Sequence, residues 1–381
     1  MSVAPAAQTE TGSRPPGPTG GLAGRGKAIK ALVGVGGLIV VIAVVGTLFQ
    51  ALSLYDVPKL LSALLATLGG VLGAMGLFYF LNMLVESLPQ RLSLGTIPYA
   101  FLLPAFGLLG AFLIFPTIQT VIFSFANDTS TEWVGFSNYR EVLSDAGFLN
   151  AITNTLLWLI IVPTASVAIG LVVAVLADKL GATSEKIAKS VIFLPMAISM
   201  VGAATIWRFV YAFAPEGRTQ IGLLNALWTT LGFDPVSWVQ VSGFNLNDVL
   251  MMVILIWLQV GFSMVLLSAA IKSVPDETLE AARIDGATEL QIFWQVVVPQ
   301  IRGTMITVFI TVLILVLKVF DIVYVMTAGN FDTNVISVLF VQQLFQFGEY
   351  GIASAIVVLL LLAVMPVVWY QIRHIRSEEA T

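Results

Sequence analysis

Five ionisable side chains, Glu277, Glu280, Arg283, Asp285 and Glu289, fall within the stretch ETLEAARIDGATELQIFWQVVVP (277–299). Charge at that density suits either acid–base chemistry or contact with a polar partner. The chemistry lacks its supporting groups. The chain has no cysteine and a single histidine, His374 in the polar C-terminal tail. Disulfides, thiolate metal sites, His-ligated zinc and a Ser–His dyad are therefore excluded. Nor do carboxylates pair at one depth in the apolar runs, as a membrane-embedded enzyme would need. The residues GLAGRGKA (21–28) fit the first part of a phosphate-binding loop. Ala28, however, stands where a Mg-binding Ser or Thr belongs, and no strand precedes it. The sequence thus predicts no catalytic residue, no metal and no cofactor on this chain.

A second set of candidates lies inside apolar runs. Lys318 and Asp321 are spaced i,i+3, close enough on a continuous helix to pair, and Arg208 sits near the end of another run, where it can snorkel. A charge at the bilayer centre costs roughly 2.5–3.5 kcal/mol, so the Lys318–Asp321 pair either locks two helices or lines a path. Trp257, Gln259, Phe262, Ser263, Thr311 and Tyr324 offer aromatic faces beside amide and hydroxyl groups. That chemistry suits a sugar, whose ring has apolar faces and polar edges. The same residue types also serve as packing groups.

The elements that must carry these residues are helices in a bilayer. Of 381 residues, 58% are hydrophobic and 10% charged, and the mean hydropathy is +0.95. Soluble domains carry about a quarter charged residues. The fold class predicted is an all-α polytopic membrane protein with about eight spans: 31–54, 60–85, 98–125, 151–177, 188–214, 248–272, 303–327 and 350–371. Each apolar run suffices to cross roughly 30 Å of hydrocarbon. Residues 1–30, rich in Pro, Gly, Ser and Thr, read as a disordered tail, and 373–381 as a polar C-terminal tail. With the N-terminus inside, thirteen Lys and Arg fall on the cytoplasmic side and only Lys59, Arg140 and Arg218 outside. The positive-inside rule places both termini, and residues 273–302, in the cytoplasm. Longer polar segments at 126–150 and 215–247 fall outside; the second, with Trp228 and Trp238, has room for a short helix at the membrane interface or beyond it.

Within 273–302 the capping signals are local and legible. Ser273 followed by Pro275 and Asp276 reads as a helix start, and Asp276, Glu277 and Glu280 favour the positive end of its dipole. Gly286 reads as a left-handed stop. Thr288 and Gln291 read as a capping box opening a second helix to about Val297, ahead of Pro299. On these grounds alone the segment is either an ordinary structured loop or a docking element.

The spacing Glu280-Ala281-Ala282, Gly286, Val296-x-Val298-Pro299 resembles the EAA loop of ABC-importer permeases, with Val296 and Val298 where Ile and Leu are usual. The resemblance runs in order over 98–375: PYAFLLPAFGLLGAFLIFPTIQTVIFSF (98–125), VGFSNYREVLSD (134–145), IFLPMAISMVGAATIWRFVY (192–211), FDIVYVMTAGNF (320–331) and FGEYGIASAIVVLLLL (347–362) are similar to segments of binding-protein-dependent sugar permeases. Ala328-Gly329-Asn330-Phe331 departs from the common Gly-Gly-Gly-Pro ending and looks more like the maltose/α-glucoside branch. The resemblance implies a permease core over 94–372, preceded by two accessory spans at 31–93. It implies that Glu280, Ala281, Ala282, Asp285, Gly286, Ala287 and Pro299 seat on a dimer of partner ATPases, which bind the ATP and Mg. It also implies a second permease, a paralogue, and an extracytoplasmic solute-binding protein that delivers a carbohydrate. The lipid bilayer is the remaining partner; nucleic acid is not one. An ion-coupled secondary transporter using Lys318, Asp321 and Arg208 would leave the EAA spacing unexplained.

Overall fold

The computed structural model describes the backbone of residues 20–379 other than Asp56, Pro89 and Glu216, and the side chains of these residues except 20–25, 90–97, 100, 244, 371 and 374–379. The described residues are mostly helical, joined by turns and by longer segments at 124–136, 211–222 and 231–242, with one isolated bridge between Ala126 and Trp133. Compactness divides the chain between Thr117 and Ile118, whereas the family-based division falls at 93/94.

The first unit contains α1 (Gly20–Leu54), α2 (Lys59–Ser87) and α3 (Gln90–Leu109), which continues through a π turn (Gly110–Ile114) into α4 (Phe115–Phe123), within which the division falls. Residues 1–19 lie outside the described residues, but 20–30, expected within the tail, extend α1. No proline follows Pro18 until Pro58, and extending a formed helix costs little compared with nucleating one. Residues 21–28 are therefore helical and form no phosphate-cradling loop. α1 and α2 make a close hairpin because glycines on each admit side chains of the other. A Cβ at Gly73 would lie 2.5 Å from Val45 Cγ2, one at Gly76 2.9 Å from Val41 Cγ2, and one at Gly37 would overlap the Phe80 ring. Small residues of this kind let membrane helices approach without a hydrophobic driving force. At the open end Lys30 Nζ meets Glu86 Oε2 at 3.2 Å. Gly37→Leu is expected to wedge the hairpin apart. In a chain free of other cysteines, a Lys30→Cys/Glu86→Cys pair should then lose most of its cross-link; undiminished cross-linking would refute the packing.

The second unit runs through α5 (Ser137–Ser144), α6 (Ala146–Asp178), α7 (Ala182–Phe193), a 3-10 turn (Leu194–Ala197), α8 (Met200–Val210), α9 (Leu223–Thr230) and α10 (Leu246–Lys272). It continues with α11 (Asp276–Ile284), α12 (Glu289–Ile292), a π turn (Phe293–Val297), α13 (Val298–Gln300), α14 (Arg302–Leu317), α15 (Asp321–Met326), α16 (Ile336–Val341), a further π turn (Gln342–Phe347) and α17 (Tyr350–Glu379). Its core forms where α6 and α10 pack together, around Trp158, Met251, Met252, Ile254, Leu255, Met264 and Leu267, all fully buried.

Six of the eight expected spans are long apolar helices among the described residues; the other two are broken. Residues Ala182–Ala197 and Met200–Val210 bend by 102°. Pro195 and the 3-10 turn end one half, and Ser199 caps the other by accepting from the Gly202 amide at 3.1 Å. The seventh span bends by 68° ahead of Arg302 and breaks again at Lys318–Phe320. This second break corrects the expected i,i+3 pairing. Lys318 lies in the break and Asp321 opens the helix beyond it, and no ion pair joins them among the described residues. The Ser337 hydroxyl donates to the Val319 carbonyl that the break leaves free, the kind of side-chain partner such a group needs in an apolar medium.

Candidate functional site

The charged loop folds as two short helices about a glycine. α10 runs to Lys272 and Ser273 closes it, its hydroxyl donating to the Ala270 carbonyl at 2.7 Å. Ser273 thus ends one helix rather than starting the next, because its backbone remains helical (φ −85°, ψ −9°), and Pro275 precedes α11 instead. At the other end Gly286 has φ +83°. Its amide donates to Arg283 O at 3.0 Å, and the Ala287 amide to Ala282 O at 3.1 Å. These two bonds make a complete Schellman motif. Thr288 and Gln291 form the expected capping box, with the Thr288 amide donating to Gln291 Oε1 at 2.8 Å. Arg283 spans the turn to Glu289 with bonds of 2.9 and 3.3 Å. That guanidinium holds the Glu289 carboxyl below its ordinary value.

The loop has an anchored side and a free side. Leu279, Ala282, Ala287, Ile292, Phe293, Val296 and Val297 join a core cluster with Val167, Leu171, Ala174, Met264 and Leu267. Glu280, Ala281, Asp285 and Gly286 are exposed, as is Pro299. Sequence reasoning overlooked Ile284, which is 85% exposed beside the glycine turn, and Trp294, 58% exposed. An exposed isoleucine at a charged tip could have signalled a docking face. A 570 Å³ cavity lies beneath, lined in part by Asp178, Leu279, Arg283, Glu289 and Trp294.

A polar network holds the base of this loop. Lys189 of α7 donates to Asp178 of α6 and to Glu185, each at 2.6 Å, and contacts the Ser268 hydroxyl of α10. Ser268 donates to Asp178 Oδ1 at 2.8 Å, and Lys272 pairs with Glu185. Only the i,i+4 pair Glu185–Lys189 was accessible from sequence; the remainder joins three helices.

The candidates for a translocation path separate into two groups. Trp257 of α10 meets Trp207 of α8 edge-on at 5.8 Å, and Trp207 meets Tyr211 at 5.2 Å. Tyr324 of α15, 40% exposed, stacks on Phe320 at 4.9 Å. Trp207, Trp257 and Phe320 all pack on the same buried cluster, so the structure brings these aromatic groups to one region and adds Trp207, absent from the sequence-derived set. Ser263 goes elsewhere. It is fully buried, and a Cβ at Gly170 of α6 would lie 2.5 Å from its Cβ, so it is a helix-packing residue. Gln259 is also buried, and Phe262 packs on both large core clusters. Thr311 is exposed, its hydroxyl donating to the Thr307 carbonyl at 2.8 Å; Lys318 is exposed and Asp321 half-buried.

At the opposite end of the bundle, asparagines clamp the turn between α15 and α16. Asn154 donates to the carbonyls of Asp332 (2.6 Å) and Asn334 (2.9 Å), Asn150 to Asp332 O (3.0 Å) and Asn247 to Phe331 O (2.7 Å). Three non-glycine residues in this turn, Ala328, Phe331 and Asp332, have positive φ.

The overall fold recurs in known proteins. A bacterial alginate ABC transporter, crystallised with an alginate pentasaccharide-bound periplasmic protein, contains a chain of the same fold. It superposes with a TM-score of 0.62 at 23% identity over 72% of this chain and 92% of that one. The osmoprotective compounds uptake permease protein GgtC of Synechocystis sp. is 50% identical over 279 residues, 73% of this chain and 99% of its own length. The α-glucoside transport system permease protein AglF of Rhizobium meliloti is 40% identical over 334 residues, 84% of this chain and 98% of its own. Residues 166–373, which hold most of the core, the charged loop and both broken spans, match the family of binding-protein-dependent transport system inner membrane components, and this chain belongs to that family.

Proposed function

We propose that the chain is a transmembrane permease subunit of an ATP-driven importer for carbohydrates, an α-glucoside or related oligosaccharide. The charged loop is its coupling element. What carries the reading is the two-sidedness of α11 and α12: their underside packs into the helical core, while Glu280, Ala281, Ile284 and Asp285 face outward. Force applied to the free side is therefore delivered to α6, α10 and α14. A dimer of cytoplasmic ATPases, binding ATP and Mg, supplies that force, and this chain hydrolyses nothing itself. A second permease subunit, a paralogue, completes the path. An extracytoplasmic binding protein presents the sugar at the end clamped by Asn150, Asn154 and Asn247. Both termini are cytoplasmic, in keeping with the excess of Lys and Arg on that side. The aromatic groups Trp207, Trp257 and Tyr324 offer ring faces to the sugar; the relative named for α-glucosides supports this cargo, and the one named for osmoprotective compounds keeps another polar solute, such as a polyol or glycerol-phosphate, as the second reading.

Two variants test the coupling. Gly286→Pro cannot reach φ +83° and loses the bond to Arg283 O, and Glu280→Lys reverses the charge on the free side. Each should weaken ATPase co-purification by about tenfold or more, what a loss of about 1.4 kcal/mol produces, while the permease keeps its elution position. Wild-type co-purification by both would overturn the assignment. Cargo is read separately, from ATPase stimulation of the reconstituted assembly across glucosides and polyols.

A further inference from the structure

The segment joining α8 to α10 contains a helix whose surfaces are inverted relative to a water-exposed one. α9 buries an asparagine and displays leucines. Asn225 is fully buried and spends both ends of its amide: Nδ2 donates to the carbonyls of Ala212 (3.0 Å) and Val236 (2.9 Å), and Oδ1 accepts from the Val236 amide (2.9 Å) and Trp238 Nε1 (3.0 Å). On the other side Leu223, Leu227 and Leu231, spaced i, i+4 and i+8, are 60%, 58% and 72% exposed. Residues 219–233 contain no charge. The helix is also fixed in place: Gly222 leaves no room for a Cβ beside the Ala212 carbonyl. The leucine face therefore begins directly past the end of α8, where Phe209 and Phe213 are exposed as well.

We propose that the leucine face of α9 lies in the headgroup–acyl boundary of the outer leaflet, as an interfacial helix in contact with lipid. A surface that receives a soluble protein and releases it must also tolerate water between encounters, and such surfaces are no more apolar than their surroundings. An uncharged leucine stripe on a helix that turns its asparagine inward and whose threonine hydroxyls donate to its own carbonyls meets the opposite requirement. It continues the exposed apolar surface at the end of α8, one half of a broken span, and Trp228, half-buried on the same helix against Phe233 and Trp238, is of a residue type enriched at that depth. Interfacial helices usually face headgroups with Lys or Arg; here Asn225 and its four bonds hold the helix down instead. α9 then fixes the depth of the outer end of α8. Docking of a soluble partner is left to the remainder of the segment.

The absence of cysteine makes the test direct. A nitroxide is attached at Leu227→Cys in the full chain with its partner subunits, in nanodiscs of phosphatidylethanolamine and phosphatidylglycerol; Leu231→Cys serves as a second reporter and Ser242→Cys as a water-side reference. At 227 and 231, collisions with oxygen should exceed those with a nickel chelate, at a depth about 5–10 Å below the headgroups, and the order should reverse at 242. Adding the binding protein should leave 227 unchanged. A label at 227 that prefers nickel, is shielded from both reagents, or responds to the binding protein would overturn the proposal. None of these readings depends on transport, so they stand apart from the assignment of cargo.

Discussion

Gly261→Leu is expected to abolish recovery of folded protein, the largest stability effect available in the helical core. A Cβ at 261 would lie 2.5 Å from the Ile192 carbonyl oxygen and 2.7 Å from Phe193 Cα. Both obstacles are backbone, so no rotamer change relieves them, and α10 would have to leave α7. Overpacking ordinarily costs about 1–3 kcal/mol; an immovable neighbour puts this site at or above the upper end. Size-exclusion profiles in detergent, before and after heating, give the readout, and an unchanged midpoint would mean that the two helices are not in contact. Gly170→Ala should show the same effect more mildly, since it adds a single methyl, although its nearest obstacle, Ser263 Cβ at 2.5 Å, is as fixed as the backbone. Ser263→Gly should partly rescue it, which a residue that bound cargo would have no reason to do.

Lys189→Met should loosen the base of the loop. The ammonium is shared by Asp178 and Glu185, whose side chains are each 16% exposed, and Asp178 Oδ2 has no partner. Removing one member of a buried pair costs several kcal/mol and of an exposed pair almost nothing. This half-buried network sits between, at about 1–2 kcal/mol, or a fall in midpoint of roughly 2–4 °C. Lys189→Arg keeps the charge and should recover part of it. Because Ser268 and Lys272 occupy the last turn of α10, immediately before α11, the Met variant should also lower cargo-stimulated ATPase activity at saturating ATP. A variant unchanged in both respects would reduce the network to decoration.

How much of this was legible in the sequence depended on whether the signal was local. Thr288–Gln291 and Gly286 act on their own neighbours within a few residues, and their caps form as read. Apolar runs fixed six spans for the same reason. Ser273 was misassigned because a serine can close one helix or open the next, and the length of α10 decides. The break at Lys318–Phe320 contains neither proline nor glycine; it depends on Ser337, 18 residues on, to accommodate a freed carbonyl. Asp178 and Ser268 meet Lys189, and Lys272 meets Glu185, only after three helices have packed. Ser263 could not be distinguished from a cargo ligand until Gly170 was found opposite it.

The π turn at Phe293–Val297 has a consequence for the orientation of the free side. A π turn carries one residue more than the α-helical turn it replaces, and one residue corresponds to about 100° of rotation about the axis. The azimuth of α12, and with it the direction in which Leu290 and the Arg283–Glu289 bridge present themselves, is set by that single surplus residue. Deleting one residue there would rewind the helix and turn the lug away from its seat without altering any side chain on it.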